Sequence, residues 1–444
     1  MAAELTRRLF LANIRTDYGE SVREQSGLQE HSRSGSDTSA RFVWHLEPGD
    51  LLLLPDEPHQ GFVDYVAGVL SVDPETIDVI VVHSALSDAG LSSEILVEQL
   101  KTLITCPADW VLEPFVLTAG VVELAERLGL TPPGGAAFAA SGKLAHLNTK
   151  SGFRQSAMSV GLPLALGLTV SSKGELEAEA SKLLTEVGTV ILKHERGGGG
   201  RGNIGLSRVR DRGLRGTRRT VYAPTGHEHL IGELWQELVE GGQGSIVIEE
   251  YLYDGQPFYS EWYIGNSSIN LVCSGEILYA LDVEDSIESP EWVGLSLPDS
   301  MGFGTSARAL LAAYDYMLFL QDQGYRGFAN IDGLANEAGR MIFHEVNARW
   351  GGGLVASSVA ERLIGPLWVN THVLRTILDI PSRPFIDVHA VLTCRGLNFD
   401  SQEGEGVLVL SAASDLGAGS EFLLISKTKE RLLKLEKDLR TAVS

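Results

Sequence analysis

The feature that most constrains the fold is a β-hairpin predicted over residues 328–347. Glu345 and Asn347 are two residues apart, so their side chains share one face of a strand. Asp332 precedes them, and residues 336–339 are typical of a turn. A two- or four-residue turn would pair Asp332 with an odd-numbered residue, so that it faces the same way. Mg²⁺ prefers such oxygen ligands, so Asp332, Glu345 and Asn347 predict a metal–phosphate site, which usually means ATP.

Composition limits the class of protein. The chain has 444 residues, 21% of them charged and 44% hydrophobic, which indicates a globular protein of two to four domains. Its formal net charge of -22 opposes binding to nucleic acid or to an anionic membrane. The three cysteines show neither zinc nor disulfide spacing, which favours a cytoplasmic location. The apolar run 9–12 is too short for a signal peptide, and no segment is apolar over the length of a membrane span.

The pattern of apolar segments predicts an α/β (α+β) fold. Strands at 51–54 and 77–82 flank a helix at 61–70, which indicates a Rossmann-like N-terminal domain with a parallel sheet. A Pro-Gly break at 132–135 predicts a boundary near residue 140. The remaining predicted elements are a loop at 15–41, helices at 121–129, 150–159, 306–323 and near 356–378, strands at 189–193, 245–250, near 258–265 and 269–273, and a C-terminal amphipathic helix carrying Leu432, Leu435 and Leu439.

A glycine-rich loop follows the strand that ends in Lys193. Its glycines are Gly197, Gly198, Gly199, Gly200 and Gly202. Glycines let backbone N–H groups approach phosphate oxygens, and Lys193 can neutralise phosphate charge. The loop is not a Walker A motif. Gly200, Gly202 and Gly205 fit a dinucleotide fingerprint, but a strand rather than a helix is predicted to follow, so a flexible hairpin over phosphates fits better. The alternative is a mobile surface loop.

Three other groups are candidates for ligand contact. Lys150 and Arg154 share a helix face, where Lys150 reaches a phosphate or the pair serves solubility. Residues 249–252 end a buried strand and offer backbone groups to an adenine ring, although paired glutamates at a strand end are more often solvated. Arg349, before Gly351–Gly353, suits bidentate contact with phosphate or carboxylate, or pairs with a structural acid.

The order of these groups resembles the ATP-grasp superfamily over residues 141–380. The Glu-Val-Asn-Ala-Arg run at 345–349 is similar to that of its carboxylate–amine ligases. Together with the flanking segments, it resembles the peptide ligases of the pheganomycin type. The resemblance implies an N-terminal pre-ATP-grasp domain (1–140), an ATP-grasp domain (141–380) with a glycine-rich lid at about 155–250, and a small C-terminal segment (381–444).

The resemblance also implies a role for each matched residue. Lys150 and Lys193 would bind the α- and β-phosphates beneath the glycine loop, with Lys193 and Arg349 as the catalytic cations. Asp332, Glu345 and Asn347 would hold Mg²⁺ or Mn²⁺. The adenine would meet Glu249, Glu250, Tyr251 and Leu252. Arg349 would hold the transferred phosphate or the acid substrate.

The sequence departs from the family pattern in two places. Many relatives place an acidic residue after the adenine hinge to hold the ribose; here Asp254, Gln256 or Pro257 occupies that place. In D-alanine–D-alanine ligases an arginine lies two residues before the first metal ligand. That position is Asn330 here, so either Arg326 or Arg349 supplies the charge or the transition state is stabilised in another way.

The expected function is an ATP-dependent ligase that forms an amide or peptide bond through an acylphosphate and releases ADP and phosphate. An amino-acid-like acid and the amine of an amino acid or peptide are the expected substrates, in natural-product biosynthesis, and a homodimer is the expected assembly. The alternatives are a carboxylate kinase, an acid–thiol ligase, a non-catalytic nucleotide-binding protein, and an oxidoreductase that binds a dinucleotide through Gly200, Gly202 and Gly205.

Several clusters of charged residues are candidates either for a functional role or for an exposed surface loop. The arginines at 208, 210, 212, 215, 218 and 219 indicate either a basic lid or a mobile surface loop. The acidic run of Asp282, Glu284, Asp285, Glu288 and Glu291 indicates a solvated loop or a site for a cationic substrate group. His227 and His229 lack a third metal ligand nearby. His344 is expected to face away from the metal ligands, either in the core or behind the residues of the site.

Overall fold

The computed structural model describes residues 6–14, 38–197, 199–200, 202–209, 213–224, 228–239, 244–280, 289–336, 338–378, 380, 383–412 and 420–443. The strands are β1 (Arg7–Leu11), β2 (Leu51–Leu54), β3 (Asp78–Val81), β4 (Trp110–Pro114), β5 (Gly167–Val170), β6 (Thr189–His194), β7 (Asn203–Ser207), β8 (Arg219–Tyr222), β9 (Ile246–Glu250), β10 (Gln256–Ile264), β11 (Ile269–Tyr279), β12 (Trp292–Leu297), β13 (Gly327–Ala335), β14 (Met341–Asn347), β15 (Val373–Ile377), β16 (Gly406–Ser411) and β17 (Glu421–Ser426). The helices are α1 (Phe62–Leu70), α2 (Asp88–Leu91), α3 (Glu94–Leu103), α4 (Ala119–Leu128), α5 (Ala136–Ala140), α6 (Lys143–Leu147), α7 (Lys150–Ser159), α8 (Lys173–Glu186), α9 (Glu228–Leu238), α10 (Phe303–Asp322), α11 (Gly352–Ile364), α12 (Phe385–Arg395) and α13 (Lys429–Val443).

The N-terminal part is the predicted parallel α/β unit. Its sheet has the order β3-β2-β1-β4, and all three neighbouring pairs are parallel. The four leucines of β2 are buried on both faces, as expected for a strand covered on both sides. Residues 38–41, predicted as loop, instead begin a 3-10 helix, Thr38–His45, most of which is buried.

A second sheet forms the middle of the chain, in the order β5-β9-β6-β7-β8. Its strands pair antiparallel except for β7 and β8. Helices α8 and α9 contribute Leu176, Leu184 and Ile231 to the apolar core of this unit. We call this unit the lid sheet, because it carries the glycine loop between β6 and β7.

The third and largest sheet is antiparallel and has the order β14-β13-β10-β11-β12-β15-β17-β16. One face of β10, β13 and β14 packs against α7 and α10 in an apolar core that contains Phe258, Ile331 and Phe343. The opposite face is turned towards the N-terminal domain and α11, and we call it the inner face. The last two strands, β16 and β17, are fully buried, and Leu432, Leu435 and Leu439 of α13 are buried as predicted.

The helix predicted near 356–378 is also partly wrong. The helix expected near 356–378 is α11, which ends at Ile364, and the later part of that range is strand β15. Gly365, with a φ of +114°, lies directly before Pro366, and this pair ends the helix. Val373 and Ile377 are β-branched and suit the strand that follows. Within the described residues, no helix is long and apolar enough to cross a membrane.

Burial of a histidine in this fold predicts a pH-dependent stability. His45 is buried, and burial together with the charges of Arg362, Arg41 and Arg8 lowers its pKa from 6.5 to about 3. Between those two pH values the unfolded chain binds a proton that the folded chain excludes, so stability falls as pH falls. From pH 7 to pH 5 this residue should remove about 2 kcal/mol from the free energy of unfolding.

The substitution His45→Phe keeps a ring against Trp350, whose centroid lies 5.0 Å away, and removes the titrating group. Urea unfolding of both proteins at pH 7 and pH 5 measures the effect. The loss of stability should be about 2 kcal/mol smaller in the variant. An equal loss in both proteins would contradict the prediction.

Candidate active site

The hairpin of β13 and β14 brings the three predicted metal ligands to the inner face. Asp332 pairs with Glu345 across the strands, and Asn330 pairs with Asn347. The predicted turn length is wrong, because Ala335 pairs with Met341 and leaves five residues, 336–340, in the connection. That register would place Asp332 opposite His344. A β-bulge between Asp332 and Gly333 shifts the register by one residue and restores the predicted pairing.

The two carboxylates crowd each other in a buried site. Burial and the neighbouring charge of Glu345 raise the pKa of Asp332 well above its usual value, while Arg349 and Lys150 oppose the rise. Lys150 Nζ lies 2.8 Å from Glu345 Oε1 and 3.3 Å from the carbonyl oxygen of Gly197. Lys150 therefore joins the carboxylate pair to the glycine loop.

The composition of the site fits magnesium bound together with phosphate. Among the described residues, no group of three or more His, Cys, Asp or Glu side chains is arranged to hold a metal. The set here is two carboxylates and one amide, Asn347, and Mg²⁺ commonly takes one or two carboxylates plus phosphate oxygens.

Arg349 is fixed beside these ligands by the N-terminal domain. Its Nη2 donates to Asn347 Oδ1 at 2.9 Å, and its guanidinium lies 5.3 Å from the centre of the Phe115 ring. The backbone N–H of Trp350 donates to the carbonyl oxygen of Phe115. Arg326, the other arginine considered for this role, instead bonds Asn266 and the end of α10, so the structure brings Arg349 to the site and leaves Arg326 outside it.

A second buried ion cluster lies under the lid sheet. Glu249 is bound on one side by Lys193 Nζ at 2.5 Å and on the other by Arg154 Nη1 at 2.7 Å. All three side chains are at least 94% buried. Arg154 is thus part of the core rather than a solubilising surface residue, and Lys193 already has an anionic partner.

The glycine loop is the turn of a β-hairpin, not the start of a helix. Gly202 is followed by strand β7, so the fingerprint of Gly200, Gly202 and Gly205 lacks the helix that a Rossmann turn requires. Gly200 has a φ of +77°, and a Cβ there would lie 2.5 Å from Gly216. Gly197 and Gly199 belong to the same turn, whereas Gly198 lies outside the described residues.

The lid sheet touches the rest of the protein near this turn. The hydroxyl of Tyr251 donates to the carbonyl oxygen of Arg215, and Thr217 Oγ1 lies 2.7 Å from Ser289 Oγ. Arg218 and Arg219 both pair with Glu237 on the surface of the lid sheet. The arginine-rich segment is therefore partly ordered by ion pairs; residues 210 and 212 lie outside the described part of the chain.

An apolar strip lies on the inner face beside the carboxylates. Pro257 pairs with Leu334, and Leu334 pairs with Ile342, so these residues form the cross-strand row next to that of Asp332 and Glu345. Such a row suits the flat ring of a nucleoside. Gln256 alternates to the opposite face and bonds Glu276 and Ser300, and Asp254 lies in the preceding turn, so of the three ribose candidates only Pro257 lies on the inner face.

The hinge residues are held by backbone and ion-pair contacts. Glu250 accepts from the N–H of Leu166 at 2.7 Å and pairs with Arg340 of the β13–β14 turn. The N–H of Tyr251 donates to Thr189, whereas that of Leu252 donates to no acceptor within the described residues. A hinge N–H that has no acceptor in the described part of the chain is suited to a ring nitrogen of adenine.

The sequence predicts that His344 faces away from the metal ligands, either in the core or behind the residues of the site. The bulge places it near Lys193, Lys150 and Glu249, where burial is the main cause that lowers its pKa to about 3. Its Nδ1 is buried and lacks a hydrogen-bond partner in the described residues. A bulge within a strand leaves no mark in residue periodicity, so the sequence does not predict which residues surround His344.

The histidine pair and the acidic run lie only partly within the described residues. His229 lies exposed near the start of α9 and contacts Glu233, while His227 is outside the described residues. Of the acidic run, Glu291 is exposed, and Asp282, Glu284, Asp285 and Glu288 lie outside the described residues.

Together, the parallel N-terminal sheet, the lid sheet and the antiparallel sheet with its inner-face carboxylates define the ATP-grasp fold, and the predicted fold class is confirmed. Residues 39–130 match the family model of the pre ATP-grasp domain. No protein of curated function matches the sequence.

Solved structures share this architecture over nearly the whole chain. The N5-carboxyaminoimidazole synthase of Aspergillus clavatus, solved with ADP and 5-aminoimidazole ribonucleotide, is 12% identical with a TM-score of 0.58, covering 99% of this chain and 100% of its own. The biotin carboxylase of Campylobacter jejuni, solved as a β,γ-ATP complex, is 10% identical with a TM-score of 0.58, covering 98% and 90%. The biotin carboxylase domain dimer of the Hydrogenobacter thermophilus 2-oxoglutarate carboxylase, solved with MgADP and bicarbonate, is 12% identical with a TM-score of 0.55, covering 98% and 89%. At these identities the likeness establishes the fold.

Proposed function

We propose that the protein is an ATP-dependent ligase that joins a carboxylate to an amine. The observation that carries the proposal is the cross-strand pair of Asp332 and Glu345, which Lys150 links to the glycine loop. The fold supports it, since the similar structures include complexes with ADP and with MgADP.

Binding of ATP would exchange the ion pairs of the site. Mg²⁺, held by Asp332, Glu345 and Asn347, would neutralise the triphosphate. Lys150 would then leave Glu345 and join Lys193 on the phosphate oxygens, while Glu249 keeps its contact with Arg154. The adenine ring would lie on the apolar strip, against the hinge backbone of residues 249–252.

The chemistry proceeds in two steps. The substrate carboxylate attacks the γ-phosphate, which gives an acylphosphate and ADP, with Arg349 beside the transferred group. The amine then attacks the acyl carbon, and phosphate leaves. Phosphoryl transfer of this kind needs positioning and charge neutralisation, which these cations supply, and an acylphosphate must be shielded from water, which the lid sheet offers.

The finer assignments are part of the same proposal. The acid is amino-acid-like and the amine belongs to an amino acid or peptide, as in peptide ligases of the pheganomycin type. We further propose that the protein is a cytoplasmic homodimer. Its domains are proposed to divide at residues 140 and 380. Transfer of the acyl group to a thiol, or arrest at the acylphosphate, would appear as ATP turnover without amide.

Nucleotide binding gives the first test. ATP and ADP at about 100 times their Kd should stabilise the folded protein by about 2.7 kcal/mol in the presence of Mg²⁺, measured as a rise in Tm. NAD should leave Tm unchanged. Stabilisation by NAD and not by ATP would overturn the proposal and favour the oxidoreductase alternative.

The reaction is tested with a panel of acids, ATP, Mg²⁺ and hydroxylamine. Hydroxylamine is a small amine that captures acylphosphates as hydroxamates, so it detects the first step for any acid. Hydroxamate together with ADP supports the ligase chemistry. ADP formation without hydroxamate for every acid contradicts it.

A further inference from the structure

Two asparagines pair across the β13–β14 hairpin in the row next to Asp332 and Glu345. Asn330 of β13 pairs with Asn347 of β14, as Asp332 pairs with Glu345. The register is unbroken between residues 330 and 332, so Asn330 lies on the inner face with Asp332. Asn330 is also buried. It therefore adjoins one proposed metal ligand along its own strand and another across the strands.

Hydrogen bonds join these two asparagines to Arg349. Nη2 of Arg349 donates to Asn347 Oδ1 at 2.9 Å, and Nδ2 of Asn347 donates to Asn330 Oδ1 at 3.1 Å. A guanidinium can only donate, so the atom of Asn347 that faces it must be the oxygen. The nitrogen of the same carboxamide then faces Asn330, which presents its own oxygen. The arginine thus fixes the direction of both carboxamides.

The backbone next to Asn347 is held by other contacts. The N–H of Ala348 donates to Asn148 Oδ1 at 2.8 Å, and the N–H of Arg349 donates to the carbonyl oxygen of Asn347. These contacts leave the terminal torsion of the Asn347 side chain, which is broad and roughly two-fold in asparagine. Half a turn about it would exchange the oxygen and the nitrogen, and the hydrogen bond to Asn330 opposes that turn.

The direction of the Asn347 carboxamide matters for metal binding. Mg²⁺ takes oxygen ligands, whereas the amide nitrogen of asparagine only donates hydrogen bonds. The carbonyl oxygen has two lone pairs, so Asn347 Oδ1 can accept from Arg349 with one and bind a cation with the other. Residues that orient a metal ligand through a hydrogen bond commonly contribute about 10- to 100-fold to metal affinity.

We propose that Asn330 is a positioning residue of the metal site, which holds the Asn347 carboxamide with its oxygen towards the metal and Arg349. This inference rests on the proposed function, which assigns Asp332, Glu345 and Asn347 to Mg²⁺. Without the oxygen of Asn330, Asn347 Nδ2 loses its acceptor and the carboxamide is free to turn its nitrogen to the cation. The hydrogen-bond acceptor of Asn330, rather than its volume, therefore sets the affinity for the metal.

The test measures binding of Mn²⁺ in the presence of ADP, from the loss of the electron paramagnetic resonance signal of free Mn²⁺. Asn330→Leu puts an apolar group of similar size in place of the carboxamide and should raise the Kd for Mn²⁺ about 10- to 100-fold. Asn330→Asp keeps an oxygen in the same place, so its Kd should stay within about 3-fold of the wild-type value or fall below it. The Kd for ADP in EDTA, without a metal, should change by less than about 3-fold in both variants, since the effect acts through a metal ligand.

Asn398→Leu is the matched control, because Asn398 is a partly buried asparagine whose Nδ2 donates to Thr393 in the C-terminal part of the chain. This variant should keep the wild-type Kd for Mn²⁺.

Three results overturn this inference alone: an unchanged Kd for Mn²⁺ in Asn330→Leu, an equal loss of affinity for Mn²⁺ and for metal-free ADP in that variant, or the same weakening in Asn330→Asp. If the wild-type protein binds no Mn²⁺ in the presence of ADP, the metal site and the proposed function that depends on it are overturned together with this inference.

Discussion

Replacing Glu345 with alanine is expected to lower kcat by at least about 10²-fold, the scale of losing one group that stabilises charge in the transition state. Glu345 pairs with Asp332 across the hairpin and binds Lys150, so its carboxylate contacts both a proposed metal ligand and a proposed phosphate-binding lysine. Without Glu345, the Mg²⁺ that neutralises the triphosphate would lose a ligand. Lys150 would also lose the partner that positions it.

The measurement is ADP release with a substrate pair found in the hydroxamate screen. Glu276→Ala is the matched control, since Glu276 is a glutamate of the same sheet whose side chain bonds Gln256 and Ser300 away from the inner face. Turnover by the control should stay within about 3-fold of the wild type, in contrast to the loss expected for a charge stabiliser. Near-normal turnover by Glu345→Ala would contradict the proposed metal site.

The second large effect concerns stability. Glu249→Ala should lower the free energy of unfolding by about 3–5 kcal/mol, because it leaves Lys193 and Arg154 buried as two uncompensated cations. Urea unfolding without nucleotide measures the loss. Mg²⁺ with ATP should recover part of it, since phosphate oxygens would replace the missing anion at Lys193.

Glu237→Ala is the control, because Glu237, like Glu249, forms ion pairs with two cationic side chains. Glu237 also binds two cations, Arg218 and Arg219, but at the protein surface, where such pairs contribute about 0–1 kcal/mol. A loss of similar size in the two variants would show that burial does not set the energy of the Glu249 cluster.

The hairpin at the active site illustrates how far the sequence can predict this structure. Strand alternation alone was enough to place Glu345 and Asn347 together, because a period of two is a local property. The partner of Asp332 was predicted from an assumed turn length that is wrong, and the pairing holds because a bulge near His344 compensates. A bulge depends on packing between strands, so it cannot be predicted from the local sequence.

The burial of two charged residues, Glu261 and Arg41, could not be predicted from the sequence because it depends on distant elements. Glu261 stands between Ser260 and Trp262 in the sequence, which is typical of a half-exposed strand, yet it is buried against α11. Arg41 follows a long polar stretch, and the sequence predicts it as the end of a loop. Neither residue has a local pattern that marks it, because the partners lie far away in the sequence: Leu354 is 93 residues from Glu261, and Glu421 is 380 residues from Arg41.

The two ends of the chain are fastened to each other. The indole N–H of Trp44 donates to the carbonyl oxygen of Leu410, and Arg362 holds the carbonyl oxygens of Trp44 and Leu46. The lid sheet, in contrast, leaves this closed frame and returns to it through two connections, at 160–166 and 251–255. We expect the lid sheet to rotate about these two connections when nucleotide exchanges. A proline that stiffens the 160–166 connection should then slow the exchange without removing any hinge N–H group.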